Sequence, residues 1–201
     1  MKYLILLTIL GASLSLKGQF VDDYKINKED KYSSINKRPI YLNFSAGLDN
    51  HVGLFGIGFS IPVADQFGIR TGIGLGGWGL KYNLGVKAME FGKDGWGFGL
   101  GYSYCPGIRD FEVTFTSQNN TANSFNLDLL PVGSINLTLN KNWVLGETNI
   151  LYLESGYAFK TGGPEIYRVN SGGTLNSSDE YILEILRPGG IILAIGFQIG
   201  L

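Results

Sequence analysis

From Ile40 onward, apolar residues alternate with small or polar ones at a period of two. Ile40, Leu42, Phe44, Ala46 and Leu48 interleave with Tyr41, Asn43, Ser45, Gly47 and Asp49. After a short turn at Asp49–Val52, the apolar series continues at Phe55, Ile57, Phe59, Ile61 and Val63. Beyond Ala64-Asp65-Gln66 it resumes at Phe67, Ile69, Thr71, Ile73 and Leu75, and a fourth run carries Tyr82, Leu84, Val86 and Ala88. Successive side chains of a strand point to opposite faces. Each run therefore predicts a strand with one apolar face and one face of Gly, Ser and Asn.

Lys93-Asp94-Gly95 signals a tight turn, after which Phe98, Leu100, Tyr102 and Tyr104 hold the even phase. At Cys105-Pro106-Gly107 the phase slips by one, to Phe111, Val113 and Phe115. Proline cannot donate a ladder hydrogen bond, so the slip reads as a kink or bulge within one long fifth strand. A polar loop over Ser117–Ser124 follows. A sixth strand is expected to run from Phe125 through Leu139, a seventh over Leu151–Phe159 and an eighth over Ile191–Leu201. The turn between the sixth and seventh falls within Asn140–Asn149. Inside the long connection 160–190, Ser177–Arg187 predicts a short surface helix, with Ser177 and Glu180 as a capping box. Tyr181, Ile182, Ile185 and Leu186 would share one of its faces. An upward extension of the last strand is the alternative reading.

Eight runs give an even strand number. The joints after the second, fourth and sixth are mostly tight, whereas those after the fifth and seventh are long and polar. Short turns at one end and long loops at the other are the layout of a membrane barrel whose long loops lie outside the cell. The expected fold of residues 39–201 is thus all-β: an eight-stranded antiparallel up-and-down transmembrane β-barrel.

The N-terminus agrees with such an address. Lys2 precedes the apolar stretch Tyr3–Leu10, and Gly11, Ala12, Ser13 and Ser15 supply small residues for cleavage. Residues 1–19 read as a secretory signal, because the apolar stretch is far short of the ~20 residues a spanning helix needs. Phe20–Arg38 is dense in Asp, Lys, Glu, Asn and Ser and reads as a flexible periplasmic leader over 20–38.

Composition decides which face of the barrel looks outward. Charged residues make up 16% of the chain, too few to coat the exterior of a soluble barrel, and 30 glycines occupy much of the non-apolar face. Turned inward, those glycines fill a narrow lumen, and Arg70, Lys87, Asp128 and Glu154 can pair there as an interior charge network. The apolar face then meets lipid. Tyr41, Tyr82, Tyr102, Tyr104, Trp96, Trp143 and Tyr157 lie near strand ends, where an aromatic girdle belongs. A net charge of −1 and the lack of a basic cluster give no electrostatic footprint for nucleic acid.

The signal segment, LNFSAGLDN (Leu42–Asn50), IPVADQFGIRTGIGLG (Ile61–Gly76), YLESGYAFKTGG (Tyr152–Gly163) and the alternating C-terminal strand carry a resemblance. The chain resembles the small outer-membrane β-barrel domain proteins of Bacteroidota-type bacteria, which are distantly OmpA-like. The resemblance covers most of the mature chain and implies residence in the outer membrane and delivery by its insertion machinery. That family usually ends in an aromatic residue; this chain ends in Leu201, with Phe197 nearby. It offers no shared catalytic residues to carry over.

Little in the chain points to chemistry. Cys105 is the sole cysteine and His51 the sole histidine, which removes internal disulfides and most thiol, imidazole and metal-site combinations. Cys105 reads as a small residue facing the barrel interior. Gly74-Leu75-Gly76-Gly77-Trp78-Gly79 matches a dinucleotide fingerprint, but no helix pattern follows it. His51, near Ser45, Ser60 and Asp49, reads as a solvated turn residue rather than a catalytic base. Asp128 and Glu154 read as ion-pair partners rather than an acid/base pair. The expectation is a non-enzymatic protein without cofactor or metal, in a structural or surface-interaction role. Its partners would be the outer-membrane bilayer, the insertion machinery and a periplasmic or surface protein. Transport of a small solute or apolar molecule, or an accessory place in a secretion or motility assembly, are the alternatives.

Overall fold

The structure, a computed structural model, describes residues 39–116 and 122–201. The expected signal and leader, and residues 117–121 of the expected polar loop, lie outside the described residues.

Eight strands close into an antiparallel barrel. They are β1 (Tyr41–Asn50), β2 (Gly53–Ala64), β3 (Phe67–Gly76), β4 (Gly79–Ala88), β5 (Gly95–Cys105), β8 (Val132–Leu145), β9 (Asn149–Thr161) and β11 (Gly190–Gly200). Each pairs with the barrel strands before and after it in sequence, and β1 meets β11 with Tyr41 opposite Gly200 and Leu48 opposite Leu193. Closure leaves the barrel itself no open sheet edge, the usual template for strand-to-strand aggregation.

Period two decides which side chains face where. On β3, Phe67, Ile69, Ile73 and Leu75 point outward, while Gly68 and Arg70 are buried within. On β5, Trp96, Phe98, Leu100, Tyr102 and Tyr104 are exposed, and Gly97, Gly99, Gly101 and Ser103 face in. The same division holds on β11, with Ile191, Leu193 and Ile195 outside and Ile192, Ala194 and Gln198 inside. The barrel is therefore apolar outside and polar inside. Of the expected girdle, Tyr82, Tyr102, Tyr104, Trp96 and Tyr157 lie on the outer face and Trp143 is half-buried. Tyr41 instead turns inward and stacks on Phe91, with ring centroids 5.8 Å apart, where Met89 and Ile150 help to fill the base of the lumen.

Two excursions depart from the expected strand plan, and both occur at the other end. The slip at Cys105-Pro106-Gly107 is not a bulge in one strand. It is the exit from β5 into β6 (Ile108–Thr116), which pairs with β7 (Ala122–Leu129) as a separate hairpin. Pro106 cannot continue the ladder. Gly107, at φ 82°, passes so close to Leu129 that a Cβ would lie 2.0 Å from the Leu129 carbonyl oxygen. Likewise the expected sixth strand is two strands, broken at Leu130-Pro131 between β7 and β8. At the base, β8 continues to Leu145, so the following turn shrinks to residues 146–148.

The second excursion leaves β9 and adds β10 (Tyr167–Ser171) to the free edge of β7, then helix α1 (Ser177–Leu186). Asn176, rather than Ser177, caps α1, its Oδ1 accepting from the backbone N–H groups of Ser178 and Asp179 at 2.9 Å each. The three-stranded sheet and helix form a cap with its own core. Phe125, Leu127, Leu129, Leu175 and Leu183 pack there with Trp78 from the β3–β4 turn and Cys105 from the end of β5. Trp78 is fully buried and its indole N–H donates to the Leu130 carbonyl at 2.8 Å. The residues that matched a dinucleotide fingerprint thus form a hairpin turn that anchors this cap.

Candidate functional site

The lumen is occupied by side chains rather than open. Asn43, Asn83, Asn136, Asn140, Asn142, Ser60, Ser103, Ser134 and Gln198 are all buried on inward positions. They form short chains such as Asn136 Nδ2 to Ser103 Oγ at 2.6 Å and Asn43 Nδ2 to Ser60 Oγ at 2.7 Å. Eight strands give an interior about wide enough for side chains to fill, and here they fill it.

At its centre lies a charge cluster. Arg70 Nη1 donates to Glu154 Oε2 at 2.5 Å, and His51 Nδ1 lies 3.1 Å from Glu154 Oε1. Lys87 Nζ donates to Asn142 Oδ1 at 3.3 Å and sits 4.7 Å from the Tyr152 ring centroid. Nearer the cap, Lys81 Nζ pairs with Asp49 Oδ1 at 2.7 Å, and Asp49 Oδ2 accepts from the Gly189 backbone N–H at 2.8 Å. Asp49 therefore ties three elements together: the end of β1, the inner face of β4 and the entry to β11.

Three of the four residues expected in this network, Arg70, Lys87 and Glu154, lie within it. Asp128 does not. It lies on β7 of the cap, half-buried, where its carboxylate accepts from the Asp110 backbone N–H and from Asn170 Nδ2, each at 2.9 Å. Those two donors, the Asp110 N–H first, hold its carboxyl below the usual range. The reason for the misplacement is the break at Leu130-Pro131, which moves β7 out of the barrel.

His51 corrects the opposite expectation. It is not solvated in an outer turn: Asn50, His51 and Val52 are all buried, because the β1–β2 turn folds into the lumen. Asp49 at φ 40° makes the bend. Glycines on β2 and β3 make the space. A Cβ at Gly56 would lie 2.7 Å from Val52, and one at Gly72 would lie 2.5 Å from it. That run of inward glycines was the available signal that something other than their own strands fills the barrel there. Lys81 was legible too, since it shares the inward phase of Asn83 and Lys87.

Chemically the cluster is a crosslink. It joins the inturned β1–β2 turn, β3 and β9 through one carboxylate. The Ser103 hydroxyl donates to the backbone carbonyl of His51 at 3.0 Å. Among the described residues no group of three or more His, Cys, Asp and Glu is placed to hold a metal ion.

The cap end has polar ties of its own. Tyr167 Oη donates to Glu180 Oε1 at 2.6 Å, and burial followed by that carboxylate pushes the Tyr167 phenol up to about 12. Lys160 on β9 pairs with Glu184 of α1. Leu183 of α1 faces the cap core, whereas Tyr181, Ile182, Ile185 and Leu186 are exposed. A cleft of about 350 Å³ separates Ile185 and Leu186 from Leu48, Leu54 and Ile191 on the outer surface of the barrel.

The fold and its interior define a class: a closed eight-stranded antiparallel β-barrel with a polar, packed lumen and a cap at one end. Comparison with protein-family models, with curated proteins and with solved structures gives no match.

Proposed function

We propose that this chain is an outer-membrane β-barrel protein with a structural or surface-interaction role and no catalytic activity, its cap presented outside the cell. One observation carries the reading: the apolar residues form a continuous outward belt around a closed barrel whose inside is polar. A soluble barrel has the reverse arrangement. Phe98 at 66% exposed, Leu84 at 62% and Phe55 at 57% belong to three different strands, and each has further exposed apolar side chains beside it on the outer face, among them Leu100, Tyr102 and Leu75. A monomer in water rarely shows an apolar patch beyond a few hundred Å². Lipid removes the penalty, and a closed ladder satisfies the backbone within it.

The polarity of the ends supports the same reading. A chain whose N-terminus begins on the periplasmic side would place the 65–66, 89–94 and 146–148 turns there and send both excursions outward. The exposed apolar face of α1 borders the belt near Ile191, where it would rest against the outer leaflet. A packed lumen argues against an open pore, so display of the cap is favoured over solute transport. The resemblance to small outer-membrane barrel proteins points the same way.

Heat-modifiable migration of the detergent-extracted outer-membrane fraction tests the reading. The expected result is a compact band that shifts on boiling. A mature protein that stays monomeric in buffer without detergent overturns it.

A further inference from the structure

We propose that the lumen holds a site for one small monovalent anion, of chloride or bromide size, between Arg70, Lys87 and Asn142. The inference uses the barrel interior alone and does not depend on where the barrel resides.

The first ground is charge. The central cluster contains the cations Arg70 and Lys87 but one carboxylate, Glu154, which is already engaged by Arg70 and His51. Lys81 is matched separately by Asp49. Among the described residues Lys87 makes no salt bridge, although it is 1% exposed. A buried cation without a salt-bridge partner is costly, and an anion beside it offsets that cost.

The second ground is hydrogen bonding. Arg70 Nε, Arg70 Nη2 and Asn142 Nδ2 are buried without a partner in the protein, and all three are donors. The Asn142 amide is oriented by chemistry, since Lys87 only donates and must face Oδ1, which turns Nδ2 the other way. Asn140 Oδ1 is a buried acceptor on the neighbouring inward position of β8. Its amide is set by a 3.4 Å contact to the Thr138 hydroxyl, which can donate as well as accept, so a turned amide adds a donor to the group.

Proximity is the third ground. Arg70 Nη2 lies 3.3 Å from where a Cβ on Gly99 would be, a point the Thr138 hydroxyl approaches to 2.4 Å, and Asn142 Nδ2 lies 3.5 Å from the corresponding point on Gly97, which Met89 Cβ approaches to 2.8 Å. These are successive inward positions of β5, about 6.7 Å apart along a strand. Lys87 is the β4 partner of Gly99 in the ladder. The bare glycines thus let three donor side chains of net positive charge gather against one stretch of β5. An anion held among them takes a contact from each. Water would satisfy the hydrogen bonds but not the charge.

The full barrel, refolded in detergent and crystallised from bromide, tests this by anomalous scattering. A bromide peak within contact distance of Arg70, Lys87 and Asn142 is expected, and its loss in Lys87→Met. A site that shows only water at high bromide concentration overturns the proposal, as does a peak that persists undiminished in Lys87→Met. Should that variant fail to crystallise, thermal unfolding in solution decides. The wild-type midpoint should rise when chloride replaces gluconate at constant ionic strength, and Asn142→Leu should lose that rise. An equal midpoint in both salts overturns the proposal.

Discussion

Replacing Glu154 by Gln isolates what the central ion pair contributes, because shape and volume are nearly kept while the charge is removed. The Glu154 side chain is fully buried and accepts from Arg70 at 2.5 Å and faces His51 Nδ1 at 3.1 Å. Hydrogen bonds to charged groups contribute about 1.5–3 kcal/mol each, and breaking a buried pair costs about 3–5 kcal/mol because the orphaned charge stays buried. Gln retains one acceptor oxygen, so the lower end of that range applies, and the expected loss is ~3 kcal/mol. Arg70→Met alone should cost a similar amount by stranding the carboxylate. The double variant, which leaves neither charge unpaired, should be less destabilised than the sum of the two by ~2–3 kcal/mol, a coupling typical of residues in one network. The assay is equilibrium urea unfolding of protein refolded into lipid vesicles, followed by tryptophan fluorescence. The three tryptophans lie in the β3–β4 turn, on β5 and on β8. A Glu154→Gln cost below ~1 kcal/mol, or additive single variants, would show that water screens the pair as it does at a surface. That result would refute the picture of a packed, crosslinked lumen.

Other perturbations separate the cap from the barrel and inside from outside. Trp78→Ala removes a fully buried indole and its bond to Leu130 and should cost about 3–5 kcal/mol locally. Limited proteolysis should then cut residues 106–131 while the barrel band on an unboiled gel is unchanged. Asp128, with its carboxyl held low, contributes to cap stability above its unfolded pKa of about 3.9, and that contribution is lost as pH falls through the lower folded value. The Asp110 amide resonance should therefore titrate below the usual carboxylate range, and Asp128→Asn should abolish the titration. Leu84→Arg sets a charge on the most outward part of β4 and should lower stability in lipid by about 2–4 kcal/mol. In a barrel that lives in water the same change would be neutral or would raise solubility, so the sign of the effect decides between the two environments.

Why the barrel strands were legible and the cap was not follows from what each pattern encodes. Period two reports that one face of a strand differs from the other, and it reports this wherever the strand sits. Phe111, Val113 and Phe115 alternate as cleanly as Phe98, Leu100 and Tyr102. The former rows pack onto the cap core, and the latter look outward from the barrel. Only the punctuation distinguishes them. Pro106-Gly107 and Leu130-Pro131 bracket the β6–β7 hairpin, and proline at both breaks forbids the ladder to continue. Taken singly, the first break reads as a bulge. Taken as a pair flanking one hairpin, the two breaks read as an insertion, and Asp128 moves out of the lumen with it.

The lumen posed a different problem, because its contents come from two sources. Arg70, Lys81, Lys87 and Glu154 belong to barrel strands, and alternation alone places them inside. His51 and Val52 arrive from a turn, where alternation has no authority. Their position rests on volume. Gly56 and Gly72 leave a hollow on β2 and β3, and a barrel interior packed at protein density must draw something into it. The chain nearest to hand is the short turn that joins β1 to β2. Its one imidazole is thereby carried to Glu154, so the glycine pattern, which looks like an absence of information, determines where the only histidine goes.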